Sequence, residues 1–218
     1  CYIIKMVRVL ELFSGTGSIQ KVCVERGWDV LSLDRDLKAD IQEDIMTWDY
    51  KKDYKPGDFD IITASPVCLW WSKLRNTWIG RKIKAHGDKI ITKELLLEDI
   101  EKYGKPMVDK VREIIDYFKP KYWWIENPQT GKMKEYITDL DYYDVDYCKY
   151  SNWGYKKRTR FWTNIKGFEP KKCNKDCGMY EKNGHIKQLG KMTDKTTRYE
   201  RYRIPFKLIR GLFDCCDL

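Results

Sequence analysis

The chain of 218 residues carries 42 Lys and Arg residues against 33 Asp and Glu residues, so its formal net charge is +9. It has no apolar run long enough to span a bilayer and no signal-peptide pattern, so we expect a soluble, intracellular protein of the cytoplasm or nucleus. Eight scattered cysteines are too few for a disulfide scaffold. The length suits one large domain, and the positive charge favours a polyanionic partner such as nucleic acid.

The order of the predicted elements indicates an α/β fold. Apolar periodicity predicts helices over 18–26 and 107–118. Before, between and after them lie short apolar runs bounded by turn residues, which are typical of buried strands. Strands that alternate with helices favour a mostly parallel sheet, with ligands bound beyond the carboxyl ends of the strands. The predicted strands are "VRVLELF" (7–13), "WDVLSLD" (28–34), "FDIITAS" (59–65) and "YWWIEN" (122–127).

The second half of the chain is less regular. A basic, aromatic segment over 69–106 is typical of a mobile loop. An antiparallel strand is expected within 143–150, and a basic, aromatic strand pair within 154–165. Residues 166–198 are polar and indicate a small insertion, and "IPFKLIRGLFDCC" at 204–216 predicts a terminal helix.

The first two strands and the turn between them have the layout of a nucleoside-binding unit. In "FSGTGS" (13–18), Gly15 and Gly17 would let the backbone approach a ligand. Asp34 ends the second strand about 20 residues on, where a carboxylate accepts hydrogen bonds from ribose hydroxyls. Gln20 replaces the third glycine of a dinucleotide fingerprint, which favours a nucleoside without a pyrophosphate, such as S-adenosylmethionine. Taken alone, such a turn is equally typical of any α/β protein.

Four motifs in fixed order extend this pattern along the chain: "ELFSGTGS", "SPVC", "WWIENP" and "KKRTR". With them the chain resembles the cytosine-C5 DNA methyltransferase family, whose members have a Rossmann-like fold and use S-adenosylmethionine. The resemblance implies that Phe13, Gly15, Gly17 and Asp34 hold the cofactor and that Cys68, Glu126, Arg158 and Arg160 form the catalytic set. Three further residues are candidates for the cofactor site: Asp44, which could accept from the adenine amine, Ile45, which could pack on the ring, and Pro66. The resemblance also implies that the C-terminal segment "RYRIPFKLI" (201–209) returns to the cofactor.

The implied chemistry accounts for these residue types. A Cys68 thiolate would add to C6 of cytosine and make C5 nucleophilic enough to take a methyl group. Glu126 would hold a proton toward N3 and the 4-amino group, and Arg158 or Arg160 would contact O2. The base must be flipped out of the duplex, and the cations and tryptophans after Cys68 would close over it. Those residues are Trp70, Trp71, Lys73, Arg75, Trp78, Arg81 and Lys82.

The chain departs from the family pattern at three places. Val67 stands where the family has a proline before the cysteine, and Lys156 stands where a glutamine is common. The segment that could read a DNA sequence is short, as in compact viral and phage members. We therefore expect one catalytic domain over 1–165 and 199–218, with 166–198 as a small insertion or reduced target-recognition segment.

Three further residues have a loose metal-binding spacing. Cys173, Cys177 and His185 form C-x3-C-x7-H, to which Cys148 or a C-terminal cysteine could add a fourth zinc ligand. Free thiols in a polar loop are the simpler interpretation. The sequence therefore assigns no metal site.

Two alternatives to a DNA methyltransferase stay open at this point. The chain could be a catalytically silent nucleic-acid-binding protein on the same fold, or a cytosine-C5 methyltransferase that acts on RNA. The preferred interpretation is an enzyme that works as a monomer on DNA and does not bind membranes.

Overall fold

A computed structural model describes residues 6–182, 184–187 and 197–218. Its centre is a sheet of six strands in the order β2-β1-β3-β4-β6-β5. Neighbouring strands are parallel across β1, β2, β3 and β4, whereas β6 runs antiparallel to both β4 and β5. The strands are β1 (Arg8–Leu12), β2 (Asp29–Leu33), β3 (Ile61–Ala64), β4 (Tyr122–Pro128), β5 (Tyr142–Asp146) and β6 (Arg158–Thr163). The predicted mostly parallel, Rossmann-like sheet is confirmed.

Helices cover both faces of this sheet. The α-helices are α1 (Ser18–Glu25), α2 (Tyr50–Asp53), α3 (Lys93–Asp99), α4 (Lys105–Phe118), α5 (Met133–Tyr136), α6 (Arg198–Tyr202) and α7 (Phe206–Asp214). Helices α1 and α7 pack on one face, and α4 packs on the other. Alternate residues of each strand therefore enter two separate hydrophobic layers: in β1, Val9 belongs to the α1 side and Leu10 to the α4 side. No helix in the described ranges is long and apolar enough to cross a bilayer.

The segment after β3 is more ordered than its composition predicted. It forms 3-10 turns at Lys73–Trp78 and Lys84–His86, then α3 and a π-helical turn at Ile100–Gly104. Two of the residues expected to close over a base lie in the interior: Trp71 and Arg75 are each 2% exposed. The expectation was wrong for these two because Trp71 packs against Gly104, and the Arg75 guanidinium forms a buried ion pair with Asp99.

The regions flanking β6 also differ from the expected strand pair. Only β6 is a strand within 154–165, and β5 is its antiparallel partner. Within the predicted insertion, β7 (Tyr180–Glu181) pairs with β8 (Gly184–His185). Residues 183 and 188–196 of that insertion lie outside the described ranges.

Candidate active site

A cleft of about 1620 Å³ opens beyond the carboxyl ends of the parallel strands. Residues from the ends of β1, β2, β3 and β4 line it, together with the beginning of β6. This is the edge where a parallel α/β sheet is expected to bind ligands. The strand topology therefore brings together residues that are far apart in the sequence.

One end of the cleft is formed by the turn after β1. Phe13, Gly15 and Gly17 have φ values of 58°, 55° and 63°, which lie in the left-handed region. Two of these positions are glycine, which adopts that conformation without steric cost. Phe13 and Gly15 line the cleft, whereas Gly17 is the N-cap of α1 and is not among the described lining residues of the cleft.

Asp34 ties this turn to the end of β2. Its Oδ2 accepts a hydrogen bond from the Gly15 N–H at 2.9 Å, and its Oδ1 accepts from the backbone N–H groups of Asp36 and Leu37 at 2.9 and 2.8 Å. The predicted carboxylate lies in the cleft, but both of its oxygens already accept hydrogen bonds from the surrounding backbone. Asp44 and Ile45 also line the cleft. Asp44 accepts a hydrogen bond from the Arg35 guanidinium, and the Ile45 side chain is 2% exposed.

The C-terminal segment closes against the same turn. The backbone N–H of Ile204 donates to Ser18 Oγ at 3.1 Å, and Tyr202 Cβ lies 3.9 Å from the position that a Cβ on Gly15 would occupy. Both Tyr202 and Ile204 line the cleft. The resemblance implied that "RYRIPFKLI" returns to the cofactor, and the structure places this segment against the glycine turn.

Glu11 is a buried acid that sequence reasoning missed. It is 3% exposed near the end of β1, lines the cleft, and accepts hydrogen bonds from the Ile19 and Gln20 N–H groups at the start of α1. Burial raises the pKa of Glu11 to about 8, despite these hydrogen bonds. An acid within the apolar run 9–12 of β1 was the available signal.

Cys68 lies in the loop that follows β3. The buried Asn127 side chain donates from Nδ2 to the Pro66 carbonyl at 2.8 Å and so holds this loop against the end of β4. Pro66, Val67 and Cys68 all line the cleft, and Val67 is 37% exposed. The positioning role of Asn127 was not predicted, although the residue is part of the "WWIENP" motif.

Glu126 is the predicted acid at the end of β4 and is 5% exposed. The Tyr147 hydroxyl donates to its Oε1 at 3.1 Å, and Lys157 Nζ lies 3.8 Å from the same oxygen. Burial raises the pKa of Tyr147 well above its ordinary value, so this hydroxyl remains a neutral donor at physiological pH.

Lys157 is a cation that acts on both Cys68 and Glu126, and the sequence did not single it out. Its ammonium donates to the Arg201 carbonyl at 3.0 Å and lies 4.9 Å from the centre of the Tyr147 ring. Its backbone has a φ of 22°, which is strained for a residue with a side chain. Burial raises the pKa of the Cys68 thiol, Lys157 opposes this effect, and Glu126 adds to it.

The two predicted arginines have different surroundings. Arg158 lines the cleft and makes two hydrogen bonds to Asp146, at 2.9 and 2.8 Å. Arg160 is 9% exposed, bonds to Asp144 at 2.7 and 2.9 Å, and stacks 3.4 Å from the centre of the Tyr142 ring. Among the residues described as lining the cleft, Arg158 is present and Arg160 is not.

Charge is divided between the two ends of the cleft. The end at β1 and β2 is mainly acidic; its one basic residue among the described lining residues, Arg35, pairs with Asp36 and Asp44. The end around Cys68 is mainly basic, and Glu126 is the acid found there. The carboxylates of the acidic end are Asp34, Asp36, Glu43 and Asp44, beside the protonated Glu11, and the basic lining residues are Lys73, Lys102, Lys156, Lys157, Arg158, Lys187 and Arg201. Such a cleft suits a cationic ligand at one end and a polyanion at the other.

Comparison with known proteins identifies the family. The chain is 45% identical over 222 aligned positions to a "Probable DNA (cytosine-5)-methyltransferase" of Frog virus 3 (isolate Goorha), an alignment that covers 96% of this chain and all of the viral protein. The chain belongs to the DNA (cytosine-5)-methyltransferase family. No family model matches it.

Two solved methyltransferase structures are also similar to this family member. An Entamoeba histolytica methyltransferase, EhMeth, has 15% identity, a TM-score of 0.49 and coverage of 77% of this chain. The Dnmt2 methyltransferase of S. pombe has 17% identity, a TM-score of 0.42 and coverage of 76%. The chain spans 55% and 52% of the lengths of these two proteins.

A buried acid with a raised pKa makes the stability of this methyltransferase depend on pH. Folded Glu11 holds its proton up to about pH 8, whereas the unfolded side chain releases it near 4.5, so the free energy of unfolding falls as pH rises between these values. We predict that Glu11→Gln removes this contribution, which is at most about 1.4 kcal/mol per pH unit. Urea unfolding at several pH values from 5 to about 8 measures the difference between variant and wild type.

Glu113→Gln is the matched control for this series. The Tyr50 hydroxyl and then Lys110 lower the pKa of Glu113 to about 2, so its contribution is lost only as pH falls below about 4.5. Its substitution should leave the slope of the free energy of unfolding against pH unchanged above pH 5. Equal slopes for wild type and Glu11→Gln would show that Glu11 is ionised in the folded protein.

Lys157 is expected to control the reactivity of Cys68. We predict that Lys157→Met lowers the rate of Cys68 alkylation by iodoacetamide several-fold at neutral pH, because loss of the cation raises the thiol pKa. Peptide mapping across a pH series would show the profile moved to higher pH, with Lys157→Arg close to wild type. Lys166→Met, on an exposed lysine paired with Asp141, is the control; an unchanged profile for Lys157→Met would refute the assignment.

Proposed function

We propose that the chain transfers the methyl group of S-adenosylmethionine to C5 of cytosine in DNA, through a covalent bond between Cys68 and C6 of a flipped base. The main support is the placement of Cys68 and Glu126 in one cleft with the left-handed turn after β1. The 45% identity to the viral protein supports the same substrate class.

The acidic end of the cleft fits the proposed cofactor. S-Adenosylmethionine carries a sulfonium and an ammonium group, and its adenine and ribose need an apolar wall and hydrogen-bond acceptors. Ile45 and Pro66 provide apolar surface, and Asp34 and Asp44 provide carboxylates. Phe13 and Gly15 would approach the ligand, with Gly17 shaping the turn. The cofactor supplies the electrophilic methyl group.

Cys68 and Glu126 would act on opposite edges of the cytosine ring. The Cys68 thiolate forms a bond to C6, and the electrons of the C5–C6 double bond make C5 nucleophilic. Glu126 holds a proton toward N3, which stabilises negative charge as sulfur adds. After C5 takes the methyl group, a base removes the C5 proton and the C6–sulfur bond breaks, which restores the aromatic ring and the thiolate.

Arg158 is the better placed arginine for the O2 carbonyl of the base. It lines the cleft, and Asp146 fixes the plane of its guanidinium through two hydrogen bonds. Arg160 is directed to Asp144 and Tyr142, so we assign it a positioning role for the β5–β6 pair.

The basic end of the cleft would bind DNA and hold the extruded base. Duplex stacking hides C5 and C6, so the target base has to leave the helix. Lys157, Lys187 and Arg201 provide charge for phosphates, and Trp70, stacked on Tyr103 at 4.7 Å, provides an aromatic surface at the cleft. Since one chain supplies every group named here, we propose that the enzyme acts as a monomer, and its proposed DNA substrate makes an intracellular location part of the same proposal.

The activity is tested with radiolabelled S-adenosylmethionine and mixed-sequence DNA. We expect labelled 5-methylcytosine from the wild type, and none from Cys68→Ser, which should still bind the cofactor by calorimetry. DNA that contains 5-fluorocytosine should become covalently attached at Cys68, because fluorine at C5 blocks the release step. Cys216→Ser, on a cysteine outside the described cleft lining, is the matched control.

Three outcomes would overturn parts of this proposal. Methyl transfer to RNA alone would change the substrate, and cofactor binding without transfer at any salt concentration would favour a silent nucleic-acid-binding protein. Full activity of Cys68→Ser would exclude the covalent mechanism.

The two arginines should give separable defects. We predict that Arg158→Ala lowers kcat about 100-fold, because it removes a contact to the reacting base, and also lowers stability, because it leaves the buried Asp146 without its main partner. Arg160→Ala should cost about 3 kcal/mol of stability, because it leaves the largely buried Asp144 without its partner, but should change kcat much less. Steady-state kinetics and urea unfolding on both variants provide the comparison, and the reverse pattern would assign the O2 contact to Arg160.

A further inference from the structure

Four metal-ligating side chains converge beside the cleft. Cys148 lies in a 3-10 turn directly after β5, Cys173 and Cys177 follow β6, and His185 lies in β8. Their ligand atoms all lie within 4.8 Å of one another. These four residues, called the Cys3His cluster below, are separated by up to 37 positions in sequence, so the fold has brought them together.

We propose that the Cys3His cluster binds one Zn²⁺ ion. Tetrahedral zinc with Zn–S bonds of about 2.3 Å and a Zn–N bond of about 2.1 Å places sulfur and nitrogen about 3.6 Å apart. His185 Nε2 lies 3.6 Å from Cys173 Sγ and 3.4 Å from Cys177 Sγ. Three thiolates with one imidazole form a common donor set of structural zinc sites, and they disfavour Mg²⁺ and Ca²⁺, which prefer oxygen ligands.

The surroundings indicate a structural rather than a catalytic site. Four protein ligands complete the zinc coordination sphere and leave no position for water or substrate. Cys148 and Cys173 are 3% and 5% exposed, and Cys177 and His185 are half-buried. The sequence had left the fourth ligand open between Cys148 and the C-terminal cysteines, and the fold places Cys148 in the cluster.

Contacts around the cluster fix its backbone. The Cys173 N–H donates to Asp146 Oδ2 at 2.7 Å, and Lys149 forms a 2.8 Å ion pair with Asp176 in the loop between the two cysteines. The Tyr180 ring meets the His185 imidazole edge-on at 5.3 Å, and β7 pairs directly with β8 at these two residues. Hydrogen bonds and contacts of this kind orient the residues that bind the ion in metal sites.

The proposed ion would connect the insertion to the cleft. Asp146 accepts hydrogen bonds from both Cys173 and Arg158, so the loop held by the metal also fixes the arginine in the cleft. Gly184, His185 and Lys187 line the cleft from the same segment. Zinc would thus keep one wall of the DNA-binding end in place, without taking part in the reaction.

Metal analysis tests this inference independently of enzymatic activity. The protein is produced without a polyhistidine tag in zinc-supplemented medium, purified with a reductant, and measured by inductively coupled plasma mass spectrometry. We expect one zinc per chain in the wild type, a large loss in Cys177→Ser, and full retention in Cys215→Ser, a matched variant outside the cluster. Zinc well below one per chain in the wild type, or equal zinc in Cys177→Ser, would overturn the proposal.

Two measurements keep the test decisive if Cys177→Ser does not fold. X-ray absorption spectroscopy of the wild type should show three sulfur ligands and one nitrogen ligand around zinc, and any other ligand set would overturn the assignment. His185→Cys, which keeps four ligands, should fold and retain stoichiometric zinc, with sulfur as the only ligand type. A nitrogen ligand that is still bound to zinc in folded His185→Cys would show that His185 is not a ligand.

The competing interpretations have their own signatures. A disulfide between cluster cysteines lowers the intact mass by two hydrogen atoms under non-reducing conditions, whereas zinc-bound thiolates keep the reduced mass after the metal is removed. Free thiols react fully with a thiol reagent in the folded protein and release no zinc. Either result would replace the metal site.

Discussion

The hydrogen bond from Asn127 Nδ2 to the Pro66 carbonyl is the contact on which the geometry of the reactive end depends. It is buried, and it joins the irregular loop after β3 to the end of the neighbouring parallel strand β4. Because Glu126 precedes Asn127 and Cys68 follows Pro66 by two positions, one bond sets the spacing between acid and thiol. It also explains how Val67 can stand where the family has a proline: the loop is held by its neighbour rather than by a fixed φ.

Burial and charge have opposite effects on the ionisation of the Cys68 thiol. Burial raises the pKa of Cys68 and favours the unreactive thiol, whereas Lys157 favours the thiolate. Glu126 is placed between the same lysine and a tyrosine that donates to it. In the proposed mechanism the strained backbone of Lys157 has a use, because it places one cation beside both Cys68 and Glu126.

Much of the fold could be predicted from the sequence because buried parallel strands and glycine turns leave local patterns. The runs that end at Phe13, Asp34, Ser65 and Asn127 marked the correct sheet edge. Partnerships formed through tertiary contacts left no such pattern. Nothing local indicates that Arg75 pairs with Asp99 in the interior, or that Arg160 bonds to Asp144 away from the cleft. The ligand role of Cys148 is of the same kind, since its nearest cluster partner is 25 residues away.

The two ion pairs between β5 and β6 have a further consequence for strand registry. β5 lies at the end of the sheet order, where an exposed edge could accept a strand from another chain. Asp144 and Asp146 are paired in register with Arg160 and Arg158, and a slip of one residue would turn both acids to the opposite face. The slip would also carry Cys148 away from the other cysteines. The alignment of one edge strand therefore determines both the orientation of the cleft arginine and the position of a thiol two residues beyond the sheet.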